Sequence, residues 1–190
     1  MKVLQRQQYR FPLVTKKPIL LPPKRVMNKP AVGDIVFAHS NGLMGRAIRL
    51  GERLRWRRGS KWNHVAIVSS VHDDIVFITQ AEPRGVTNDK QLHTVGEYIL
   101  ITPPANISKT NMVKFATEQV GKPYSFLSIA SIVLDILSPN WFPAFRRHST
   151  WICSSLVGES LRFGGYLHEW DDIYTVTPSQ LYEAICNDWK

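Results

Sequence analysis

The chain has 190 residues, enough for one domain with a real hydrophobic core plus an appendage but too few for a second full domain. Its composition, 44% hydrophobic and 21% charged, is that of a globular protein, and no apolar run is long enough to span a bilayer. The net charge of +9 is concentrated: residues 1–30 carry eight Lys or Arg and no acid, Arg46–Lys61 carries seven against Glu52, and the rest is mildly acidic. Such segments suit an anionic polymer or an acidic partner as well as they suit a solvated face.

Five of the twelve prolines fall within residues 1–30, interleaved with Lys and Arg. Proline fixes φ and removes a backbone donor, so this stretch reads as an extended arm, expected to dock on a protein partner or a neighbouring subunit. Its first eight residues lack the apolar core and cleavage site of a signal peptide, so a substrate outside the cytoplasm would need another delivery route. The remaining residues, 31–190, are expected to form one domain.

Gly33-Asp34 followed by Ile35-Val36-Phe37-Ala38 predicts a turn and a short strand. Leu43–Arg58 has helical spacing, weakened by Gly45 and Gly51. His64–Ser69 and Ile75–Ala81 read as a hairpin turning at His72-Asp73-Asp74, and Tyr98–Thr102 as a further strand stopped by Pro103-Pro104. Ser108–Val120 predicts a helix capped by Ser108 or Thr110 and closed by Gly121. Ser125–Leu137 is an apolar buried or interfacial helix. Cys153–Phe163 is a helix ended by Gly164-Gly165, and Thr177-Pro178-Ser179 starts a last one running through Ile185. A small antiparallel sheet with separate helices is an α+β pattern.

Two cysteines, 153 and 186, make no disulfide framework and are expected to be free thiols. Cys153 opens a helix, where unpaired N–H groups favour a thiolate, and Arg146, Arg147 and His148 lie just upstream. A lone cysteine is more often a buried structural residue. Cys186 has no histidine near it in sequence and keeps that reading. His64, 89 residues before Cys153, opens a strand from which its imidazole could take the thiol proton. His39, His72, His93, His148 and His168 have weaker contexts. No spacing matches a metal site, so neither metal nor cofactor is expected. Gln80 and Glu82 share one face of the next strand, and either could orient His64.

In this order, Gly33-Asp34-Ile35-Val36, His64-Val65-Ala66-Ile67-Val68, Ile78-Thr79-Gln80-Ala81 with Gly85-Val86, Gly121-Lys122-Pro123-Tyr124, Ile152-Cys153-Ser154-Ser155-Leu156-Val157 and Thr177-Pro178 resemble the circularly permuted NlpC-type, papain-like cysteine hydrolases. That family includes the lecithin retinol acyltransferase relatives. The set spans about residues 31–185, and its specificity lies in the order, not in any one piece. The resemblance implies Cys153 as nucleophile, His64 as general base and then acid, and Gln80 in the third polar position, with Glu82 as the alternative. It matches Tyr124 to a tyrosine near the nucleophile, where a phenol could bind an oxyanion or a substrate carbonyl; a core tyrosine is an equal reading.

The implied substrate is a cell-wall peptide, cleaved by a peptidoglycan endopeptidase or amidase. With the arm and no signal peptide, a bacteriophage virion component is expected, and otherwise a cytoplasmic protein. Two alternatives stand beside it: an acyltransferase or lipid hydrolase on the same fold, and a non-enzymatic structural particle protein whose basic segments hold polymer.

Overall fold

Alternating apolar residues in the first strands fix how the sheet is covered. The computed structural model describes residues 29–39, 61–137, 149–170 and 173–189. All but the last two residues of the expected arm, the helix expected over Leu43–Arg58, and Arg146, Arg147 and His148 lie outside them.

Five strands, β1 (Ile35–Ala38), β2 (His64–His72), β3 (Ile75–Glu82), β4 (Gly85–Gln91) and β5 (Tyr98–Ile101), form one sheet in the order β4-β3-β2-β1-β5. Every neighbouring pair is antiparallel. Ile35, Phe37, Val65 and Ile67 pack in one cluster with helices α1 (Lys109–Glu118), α3 (Cys153–Phe163) and α4 (Pro178–Asp188). Val36, Ala66, Val68 and Ile78, pointing the other way along the same strands, cluster with Leu92. Burying each large apolar side chain contributes about 1.5–3 kcal/mol, so β1, buried at all four residues, and β2, buried from Val65 to Val68, anchor the sheet. Helix α2 (Phe126–Leu137) is the fourth helix of the described residues. The α+β expectation, a small antiparallel sheet packed against helices, is what the fold shows.

The helix ends follow from local chemistry. Ser108 Oγ accepts from the Asn111 amide at 3.3 Å, so Ser108 is the cap of α1 and Thr110 lies in its first turn. Thr177 and Gln180 cap α4 reciprocally, with Pro178 at its first position. Helix α3 is buried from Cys153 through Leu161 despite three serines. Its polar groups are satisfied inside: Ser154 donates to the Val176 carbonyl and Ser160 to the Leu156 carbonyl.

Asp34, buried at 1% exposure, accepts from the Ala31 amide, Thr102 Oγ1 and Lys109 Nζ. One carboxylate thereby ties the start of β1 to the residue after β5 and the first turn of α1. The sequence reading missed β4. Its segment, Gly-Val-Thr-Asn-Asp-Lys-Gln, has one apolar residue because it is an edge strand, buried only at Gly85 and Val86.

Candidate active site

His64 is the first residue of β2, paired with Ala38 at the end of β1, and the preceding Asn63 amide donates to the Ala38 carbonyl. Ladder pairing therefore holds the imidazole at the end of the sheet. On β3, Gln80 is completely buried, and its Oε1 lies 2.7 Å from His64 Nε2. A carbonyl oxygen only accepts, so Nε2 carries the proton in this bond and Nδ1 is left for a second partner. That partner is Cys153, whose thiol is hydrogen-bonded to the His64 ring.

Cys153 is the first residue of α3 and 6% exposed. The turn is held by Ser155, whose Oγ accepts from the Ile152 amide at 3.1 Å. Burial alone would raise the Cys153 thiol pKa. The His64 hydrogen bond, the imidazolium charge and the Val65 and Ser154 amides outweigh burial and lower it. Burial alone would likewise lower His64. The Cys153 hydrogen bond and charge, the Gln80 carbonyl and the Glu82 charge together raise it. The opposite shifts show that each group favours the charged form of the other.

Glu82 does not orient the ring. It is bound to Lys90 at 2.7 Å and acts on His64 through its charge. Of the two alternatives on β3, Gln80 makes the bond. Tyr124 is 9% exposed, its ring edge-on to that of Phe126. Burial, then the charges of Cys153 and Glu82, push its pKa well above the usual phenol range, so it stays a protonated donor facing the thiolate's field.

A five-residue strap, residues 121–125, joins the groups. The Val86 amide donates to the Lys122 carbonyl and the Gly121 amide to the Val86 carbonyl, both at 2.9 Å. Farther along, the Trp151 amide donates to the Pro123 carbonyl and the Ser125 amide to the Trp151 carbonyl, forming a parallel bridge between Tyr124 and Trp151. Gly85 permits this contact. Its φ is +112°, and a Cβ there would meet the Lys122 carbonyl oxygen at 2.8 Å.

The other expectations sort simply. Cys186 sits on α4 beside Tyr182, and neither cysteine is in a disulfide. His39 bonds the Lys61 carbonyl, His72 packs edge-on against Phe77, His93 is exposed, and His168 pairs with Asp188. None of the four is a neighbour of Cys153. Among the described residues no group of three His, Cys, Asp or Glu could hold a metal ion. The amides of Val65 and Ser154 and the strap's contact with β4 were missed, since backbone donors have no side-chain signature. No family model and no curated protein matches the chain.

Proposed function

We propose that the protein is a cysteine hydrolase of the circularly permuted NlpC-type, papain-like kind, acting on amide bonds of cell-wall peptides as a peptidoglycan endopeptidase or amidase. The observation that carries this reading is His64 bonded on one side to Gln80 and on the other to Cys153. The Cys153 thiolate attacks the amide carbonyl carbon, and the oxyanion is met by the Cys153 amide, which as a first-turn N–H has no intrahelical acceptor. Tyr124 supplies a second donor. His64 protonates the leaving amine, which breaks the C–N bond and leaves a thioester. Water then attacks the thioester as His64 takes its proton, and the acid departs with the thiol restored.

We assign the basic arm to docking within a bacteriophage particle, and Arg46–Lys61 to an anionic polymer. Of that segment only Lys61 lies among the described residues, where it pairs with Glu97.

One observation favours a second reading, an acyltransferase or lipid hydrolase. Phe126 and Leu127, at the start of α2, are 55% and 49% exposed, and the Phe126 ring lies 5.1 Å from that of Tyr124. Among the described residues no helix is long and apolar enough to cross a membrane. Mass spectrometry of products from purified muropeptides and from acyl lipids separates the two readings. Cleavage of neither by wild type, with full retention of particle function in Cys153→Ala, would leave the structural alternative.

A further inference from the structure

Beside the catalytic pair lies a groove of about 250 Å³ lined by Gln80, Glu82, Arg84, Thr87, Asp89 and Lys90. Every one of these side chains is polar, and the four charges sum to zero. Gln80, at 0% exposure, spends its Oε1 on His64, while its Nε2 is buried with no partner. Thr87 stands opposite Gln80 in the β3–β4 ladder, so His64, Gln80 and Thr87 run from the nucleophile's base toward the sheet edge. A buried amide donor without an acceptor is unfavourable unless something completes it.

We infer that this groove is the binding subsite for a polar amide chain of the substrate, whose carbonyl accepts a hydrogen bond from Gln80 Nε2. This deepens the amide-hydrolase reading and rests on it. One residue then serves both needs, holding the base through its oxygen and the substrate through its nitrogen. The nitrogen is sealed from solvent, so an acceptor reaches it only when lining side chains move, among them the paired Lys90 and Glu82. That pair is about one-third exposed on each side, at 34% and 33%, and a solvated pair of flexible side chains parts readily. A neutral lining gives no preference for a charged group, and six side chains that all end in polar groups suit an amide better than an acyl chain.

The test uses two alkylating probes of equal reach, bromoacetyl-glycinamide and N-isobutyl bromoacetamide, which carry the same electrophile and differ in the distal amide. In a Cys186→Ser background, wild type should alkylate Cys153 about tenfold faster with the glycinamide probe, the order expected from one satisfied buried donor. Gln80→Glu, which keeps an acceptor for His64 and loses the donor, should bring the ratio close to one. Thr87→Trp and Asp89→Trp, which fill the groove from the edge strand, should do the same without altering the buried residue. A wild-type ratio near one, a preference for the isobutyl probe, or a preference surviving both tryptophan variants overturns the inference. Failure of the hydrolase reading looks different: Cys153 would then react slowly with both probes at pH 6, while the ratio is still measurable near pH 8.5.

Discussion

His64 and Gln80 stand on adjacent strands 16 residues apart and share a 2.7 Å hydrogen bond that decides which imidazole nitrogen faces the thiol. Because Gln80 accepts through its carbonyl, the ring presents Nδ1 to Cys153. An uncharged partner fixes the tautomer while leaving the stabilisation of the imidazolium to the thiolate and, at longer range, to Glu82.

The first prediction concerns pH. Iodoacetamide alkylation of Cys153 requires thiolate, so it should rise through the lowered thiol pKa and proceed at pH 6, where an ordinary cysteine with a pKa of ~8.5 reacts slowly. His64→Ala should move the profile upward, since burial then acts unopposed. Amide cleavage should be bell-shaped: it appears as Cys153 loses its proton and disappears as pH rises through the raised His64 pKa, where the general acid is lost. Mass-spectrometric labelling of Cys153 relative to Cys186 reads the first limb. Equal rates at pH 6 would sink the proposal.

Gln80→Ala leaves the His64 Nε2–H without its acceptor. An unsatisfied buried donor costs about 1–3 kcal/mol, so kcat should fall about 10- to 100-fold. Gln80→Glu should recover part of the loss and shift the alkaline limb upward, because a carboxylate stabilises imidazolium. A pH–rate profile identical to wild type in both variants would remove Gln80 from the site.

Tyr124→Phe deletes a protonated donor and keeps the ring that packs edge-on against Phe126. A drop in kcat of about 10²-fold, at the lower end for one oxyanion donor, with little change in KM is the expected outcome. Unchanged kcat would make Tyr124 a core tyrosine, its alternative reading from the sequence.

Gly85→Ala forces a side chain into a backbone conformation that costs about 1–3 kcal/mol for a non-glycine residue. At about 2–4 °C per kcal/mol for a chain of this size, calorimetry should show a fall of several degrees. Activity should fall further than stability, because the displaced strap carries Tyr124. A variant with wild-type Tm and activity would show that the Lys122 contact is dispensable.

The helices were legible because their signals are local: Ser108 and Thr177 as caps, and Gly164-Gly165 as a stop. The hairpin of β2 and β3 was legible from β-branched runs. β4 was not, since an edge strand needs little apolar sequence and Thr87 to Gln91 are solvated or half-buried. Cys153 and His64 could be named from residue type and order, and Gln80 only together with Glu82. The choice of Gln80 over Glu82 needed coordinates, because both share one face and the Lys90 that holds Glu82 comes from another strand.

The bridge between Tyr124 and Trp151 has a consequence for how this chain can change. It staples the two ends of a long excursion, α2 and the residues after it, immediately before Cys153. Within it, Ile129 and Ile132 are buried in the cluster that also holds Trp151, Ile152 and Leu156, so changes at those two positions reach the start of α3, whereas the exposed Phe126 and Leu127 can be replaced without loss of that packing. The exposed side of α2 is thus a place where a new surface could be acquired without repacking the residues that hold Cys153.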